Sequence, residues 1–96
     1  MKFEWDDNKN NTNIEKHGVS FEQAAKIFDG FTVTNIDSRE DYGEEREISI
    51  GMLDGIAVLV VVHTDRNGVC RIISARQARK DERNRYEQEI QKAADS

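Results

Sequence analysis

Seven consecutive apolar residues, Ile56 to Val62, lie between two tight-turn signals, Asp54-Gly55 and Asp65-Arg66-Asn67-Gly68. The run is far short of the roughly 20 apolar residues that a membrane-crossing helix needs. It is also too uniformly apolar for a strand with one wet face. It predicts a central strand covered on both sides and joined to its neighbours by hairpins. Residues 45–52 before it alternate: Ile48, Ile50 and Met52 fall on one face, with Arg46 on their side, and Glu47 and Ser49 on the other. After it, Val69 to Ala75 predicts a last strand, with Arg71, Ile73 and Ala75 on one face and Cys70, Ile72 and Ser74 on the other. Phe31 to Ile36 and Lys2 to Trp5 predict two further strands.

Three helices complete the pattern. Asp6 can cap a helix from about Asp7 to His17 in which Ile14 is nearly the only apolar residue. Asn10, Asn13, Ile14 and His17 share a face at helical spacing, so this helix must be held by polar contacts or carry a functional surface. Gly18 is placed to end it in a left-handed conformation. Ser20-Phe21-Glu22-Gln23 is a capping box and opens a second helix to about Phe28, whose stripe of Phe21, Ala24, Ala25, Ile27 and Phe28 predicts core. Ser74 with Gln77 reads as another capping box, opening a third helix to about Ala93. The order β-α-α-β-β-β-β-α predicts one α+β domain over residues 1–96. Its sheet is expected to be mainly antiparallel and covered on one face, with two N-terminal helices and a C-terminal helix.

Composition narrows the function. Fourteen Lys and Arg against 19 Asp and Glu give a net charge of −5, which argues against whole-surface nucleic-acid binding. The single Cys70 leaves no internal disulfide and no cysteine-rich zinc site, and fits a reducing compartment. Without an apolar N-terminal segment, the expected location is the cytoplasm, away from membranes. No proline or Gly-rich linker divides the chain. Yet Arg71 to Tyr86 holds six basic and two acidic residues, a local net of +4 in an otherwise acidic chain. Cations gathered where a strand meets a helix suit a large anion such as a nucleic-acid backbone, although a solvated helix face has the same composition.

No zinc spacing, phosphate-cradling glycine loop or serine elbow is present, and no cofactor or metal is expected. The imidazoles of His17 and His63 are the side chains suited to proton transfer near neutrality. With Lys16, Arg46, Arg66, Arg71 and Arg76 they suit RNA cleavage without a metal. That reaction needs a base for the 2′-hydroxyl, an acid for the leaving 5′-oxygen and fixed cations around phosphorus. Each residue has a plainer alternative. His17 can satisfy helix carbonyls, His63 can be packed, and Arg46 and Arg66 can pair with the acidic loop at residues 40–45. Arg71 must find an acidic partner or a ligand. Arg76, at the strand–helix junction, is the best phosphate binder of the set.

Phe3-Glu4-Trp5-Asp6, Lys9, Asn13 and Lys16-His17-Gly18-Val19-Ser20-Phe21 resemble the opening motif of the BrnT toxins of bacterial type II toxin–antitoxin systems. Arg46, Ile50-Gly51, Val60 to Thr64 and Arg66 resemble its middle; Arg71-Ile72-Ile73-Ser74-Ala75-Arg76, Ala78, Glu82, Arg83 and Tyr86 resemble its close. The resemblance covers about residues 3–86 and fades in the polar helix beyond. It implies a RelE-like fold and a metal-independent endoribonuclease that halts translation. It also implies a BrnA-like antitoxin that covers the toxin in a hetero-oligomer and makes any DNA contact itself. The matching positions give His17, Arg46, Arg66 and Arg76 as catalytic candidates, and Lys16 and Arg71 as RNA-binding ones. The alternative is a non-catalytic partner-binding module acting as co-repressor with a DNA-binding antitoxin.

Overall fold

The computed structural model describes residues 1–95. Strand β1 (Lys2–Glu4) is followed by α1 (Asp7–His17), α2 (Phe21–Ala25) and a 3-10 turn (Lys26–Asp29). Then come β2 (Thr32–Asp37), β3 (Arg46–Leu53), β4 (Ala57–Arg66), β5 (Val69–Gln77) and α3 (Lys80–Asp95). The five strands form one sheet in the order β1-β5-β4-β3-β2. The fold is α+β, but the sheet is mixed where a mainly antiparallel one was expected, because β1 runs parallel to β5. A parallel neighbour requires a long crossover, and here it runs from Trp5 to Gly68, about two thirds of the chain. The strand spacing in sequence gives no hint that β1 and β5 meet.

The apolar run is the central strand. Every residue from Val58 to Thr64 is buried. Leu59 and Val61 face the N-terminal helices, where Val19, Phe21, Ala24, Ile27, Cys70, Ile72 and Ala75 complete the main core. Val58 and Val60 face the other way, toward Ile50 and Tyr86. So both faces are covered in part, the second by α3, whose one buried residue is Tyr86. The Tyr86 hydroxyl donates to the Phe31 carbonyl at 2.8 Å, which anchors α3 to the start of β2.

Three of the four capping signals hold. Asp6 accepts from the Lys9 N–H and Gly18, at φ 69°, ends α1. Ser20 and Gln23 form the reciprocal box at the start of α2. That helix is shorter than expected and tightens into the 3-10 turn, which crosses the sheet at Gly51. A β-carbon there would lie 2.8 Å from Cβ of Ile27. The Ser74–Gln77 box does not form. Strand β5 continues through both residues, with Ser74 opposite Val62 and Gln77 opposite Leu59, and α3 begins at Lys80. Long β4 offers a full ladder of partners, and pairing with it outcompetes a local cap. The cap appears five residues later, where the Glu82 carboxylate accepts the Arg79 N–H at 2.8 Å and the Arg79 carbonyl accepts from Arg83.

The register also shifts within β5. Val62 pairs with Ser74 but His63 pairs with Ile72, so Ile73 is a bulged residue without a partner. Strict alternation places Ala75 with Arg71 and Ile73; the bulge instead puts Ala75 beside Cys70 and Ile72 in the core. Arg76 is thereby turned to the opposite face of the sheet.

Polar α1 is fixed by Asn13, which is buried. Its side-chain amide donates to the carbonyls of Val19 and Ala75, both at 2.8 Å, and its oxygen accepts the Ala75 N–H at 3.1 Å. Asn10 accepts the Phe21 N–H at 2.8 Å. These bonds replace the apolar stripe that α1 lacks. Replacing Asn13 with Ala would orphan buried backbone groups, at about 1–3 kcal/mol. The expected outcome is a thermal midpoint lowered by about 4–8 °C for each kcal/mol lost.

A second polar chain runs from exposed Thr34 to buried Ser49 and His63, at 2.7 Å between the hydroxyls and 2.6 Å from Ser49 Oγ to His63 Nε2. The His63 ring meets Phe28 edge-on at 5.0 Å. Burial pushes its pKa below the ordinary 6.5, against the pull of Glu47. The folded protein therefore resists a proton that the unfolded chain accepts. Stability falls as pH drops below about 6.5, toward the lower value in the fold. His63→Gln keeps a hydrogen-bonding group and removes the titration. Urea midpoints between pH 7.5 and 5.5 should fall for the parent and flatten in the variant.

Candidate functional site

The uncovered part of the second sheet face holds a cleft of about 360 Å³. Its floor is aliphatic, made by Ile48 of β3 and Val60 and Val62 of β4, with Ser74 of β5 beside them. Its walls are charged. His17 comes from the end of α1, Arg76 from the end of β5, and Arg79 and Glu82 from the start of α3. Arg39 comes from the loop between β2 and β3. The groups that reach this hollow are thus separated by more than sixty residues of chain.

Local structure explains the convergence. Asn13 grips both backbone groups of Ala75 and stands one helical turn before His17, while Ala75 stands one residue before Arg76. The clamp therefore carries the imidazole and the guanidinium to the same cleft. The β5 bulge is also needed, since it sends Arg76 to this face.

Arg76 is tightly held. Its Nη1 and Nη2 donate to the two Glu82 oxygens at 2.7 and 2.9 Å, and Nη1 also reaches the Gln77 carbonyl at 3.3 Å. The same Glu82 accepts from the Arg79 backbone, with Arg79 Nε 3.6 Å away. The Arg76 hydrogen bonds, with help from Arg79, bring the Glu82 pKa down to about 2. This carboxylate is ionised at neutral pH. In return Glu82 raises the pKa of Arg76, against burial and the like charge of Arg39.

Arg39 is held in a similar way from across the cleft. Asp37, whose side chain is sealed by its own loop, accepts from Arg39 Nε and Nη2, both at 2.8 Å, and from the Tyr42 hydroxyl at 3.2 Å. The Arg39 bond holds the Asp37 carboxyl well below the usual carboxylate range. Tyr42 in turn lies under the Arg46 guanidinium, 4.0 Å from ring centroid to Cζ.

The other expected site residues lie elsewhere. Arg46 and Arg66 do not line the cleft. They gather at Glu44, 3.9 and 3.4 Å away, which is the acidic-loop pairing that the sequence left open. Arg46 Nε is enclosed without a hydrogen-bond partner among the described residues. Arg71 pairs with Glu4 at 2.6 Å across the parallel β1–β5 ladder. Lys16 is exposed in the last turn of α1. His63 is in the main core, on the face away from the cleft. Of the two imidazoles, the cleft therefore holds His17.

Sequence reasoning missed Arg39, Arg79 and Glu82 as site residues. A signal for Arg39 existed: Asp37 accepts the Arg39 N–H at 3.2 Å, a turn that an Asp two residues ahead favours. Within the cleft the ionisable groups are one imidazole, three guanidiniums and one carboxylate bound to two of them. That set can bind a phosphodiester, neutralise added charge on it and move one proton.

Known proteins resemble this chain. The family model for the ribonuclease toxin BrnT of type II toxin–antitoxin systems matches residues 5–82. Among solved structures, the Brucella abortus ribonuclease toxin BrnT is 27% identical, with a TM-score of 0.65, covering 83% of this chain and 99% of that one. No curated protein matches. The family model spans most of the chain and reaches from the first cleft-building helix to Glu82, so the chain belongs to the BrnT family of ribonuclease toxins.

Proposed function

We propose that this chain is the toxin of a type II pair and cleaves RNA internally, without a metal, in the cleft between α1 and the β5–α3 junction. The observation that carries the reading is the meeting of His17, Arg76, Arg79 and Arg39 over one aliphatic floor. RNA brings its own nucleophile, the 2′-hydroxyl, so the protein needs to orient the backbone and stabilise the charge that builds on phosphorus. His17 is the general acid or base for one of the two proton transfers, and solvent serves the other. Glu82 is unsuited to donating a proton at neutral pH, since its carboxyl titrates near 2. Arg76 faces the scissile phosphate, and the aliphatic floor supports an adjoining sugar or base.

Arg46 and Arg66 act, in this reading, at the rim as a second cationic patch around Glu44, and Lys16 and Arg71 as contacts for flanking backbone. A BrnA-like antitoxin neutralises the protein in a hetero-oligomer by covering the cleft, and supplies any DNA contact. The setting is the cytoplasm, where mRNA is translated. No helix among the described residues is long and apolar enough to cross a membrane.

Removing one group that stabilises transition-state charge typically lowers rate by about 10²–10³-fold. Arg76→Ala should therefore abolish growth arrest on induction and lower RNA cleavage by that order, with far-UV circular dichroism unchanged. Arg76→Lys keeps the charge but not the planar fork and should recover only a fraction. Cleavage of total RNA by the parent should persist in EDTA. Loss of cleavage with chelator, or full toxicity of Arg76→Ala, contradicts the assignment. Intact RNA together with tight antitoxin binding would favour a non-catalytic docking module.

A further inference from the structure

Arg39 and Arg76 approach the cleft from opposite sides, and each is half-occupied by a carboxylate. A guanidinium carries five N–H donors in a fixed plane, which makes two forks: one from Nε and Nη2, the other from Nη1 and Nη2. Glu82 takes the Nη1–Nη2 fork of Arg76, and Gln77 takes the remaining Nη1 hydrogen. The Nε–H and the second Nη2 hydrogen, which share an edge, have no hydrogen-bond partner among the described residues. Asp37 takes the complementary fork of Arg39, through Nε and Nη2. That leaves the Nη1–Nη2 edge of Arg39 outside the pair.

The two carboxylates do different work from a simple ion pair. Exposed ion pairs by themselves add little to stability. Here each carboxylate is itself fixed by a second donor, Asp37 by Tyr42 and Glu82 by the Arg79 backbone. Each therefore locks the rotation of its arginine and leaves one planar edge ready. Planar edges match phosphate oxygens bidentately.

We propose that one RNA phosphodiester is seated between Arg39 and Arg76, and that Asp37 and Glu82 are the positioning residues that aim those two guanidiniums. The inference rests on the ribonuclease reading above and adds Arg39 to its binding residues. It also assigns Glu82 a sign. Glu82 holds Arg76 in place for the phosphate and is not a stand-in anion that the phosphate must expel.

The test uses the full chain and a fluorescent single-stranded oligonucleotide with 2′-O-methyl sugars, which lacks the nucleophile and is not cleaved. Affinity is measured by anisotropy across salt concentrations. For a single strand, each phosphate that the protein no longer neutralises lowers the slope of log K against log salt by about 0.7. Arg39→Gln should lower the slope by that amount, which is about five-fold weaker binding at 0.1 M salt and vanishes toward 1 M. Because Arg39→Gln leaves Asp37 enclosed and unpaired, the double variant Asp37→Asn with Arg39→Gln, which keeps a neutral hydrogen-bonding pair, serves beside it. It should restore the melting temperature without restoring the slope. Glu82→Gln should bind more weakly and lower kcat.

An unchanged slope in both Arg39 variants overturns the proposal, as does tighter binding by Glu82→Gln, which would make Glu82 a competitor. Parent protein that cleaves RNA while the Arg39 variants keep its salt slope refutes this inference alone. Parent protein that neither binds nor cleaves RNA refutes the functional reading beneath it.

Discussion

Asn13 uses its side-chain amide much as a neighbouring strand would use its backbone, accepting the N–H of Ala75 and donating to its carbonyl. The rest of the architecture depends on that exchange. Helix α1 has almost no apolar face with which to dock, and the residue at the centre of the dock is polar. A buried amide with these bonds made stabilises the fold, and with the bonds broken it would be costly to enclose. Such a joint accepts one geometry, whereas a greasy stripe tolerates sliding. For the proposed role of α1, carrying His17 to the cleft, that intolerance is an advantage.

The same logic runs through the cleft. Its cations are held by partners that are themselves held: Arg76 by Glu82, Arg39 by Asp37, and Asp37 in turn by Tyr42. Catalysis by electrostatic preorganisation requires that charges already be in place when the transition state forms, so that no reorganisation is left to do. The acidic residues that make the chain net negative therefore do not oppose anion binding here. They act at short range as fixtures. Further away, an acidic surface repels a polyanion, which favours contact at patches where guanidiniums outnumber carboxylates, as they do in the cleft.

Much of this was legible in the sequence. The Ile56–Val62 run gave the central strand, Asp54-Gly55 its hairpin, and the Ser20–Gln23 box and Gly18 two helix limits. Residue type and placement single out Arg76 and the two imidazoles without choosing between His17 and His63; Arg76 and His17 line the cleft. What failed were questions of pairing. A bulge at Ile73 is invisible to alternation, which assigns Ala75 and Arg76 to the wrong faces. The Ser74–Gln77 cap is a sound local preference that strand pairing with β4 overrides. The parallel partner of β1 lies nearly seventy residues away, beyond any local pattern. Arg46 and Arg66 share their chemistry with Arg76 but not its place, and only tertiary structure distinguishes a guanidinium facing Glu44 from one facing a cleft.

The central claim is that RNA is engaged where α1 and β5 are clamped together, by His17 and Arg76. Nuclear magnetic resonance of the full chain, titrated with an uncleavable RNA analogue, observes those groups directly. The account predicts that the His17 ring and the Arg76 Nε–H move first and furthest, while the ring of His63 stays still. Perturbation centred on Arg46 and Arg66, with His17 and Arg76 unmoved, would contradict it.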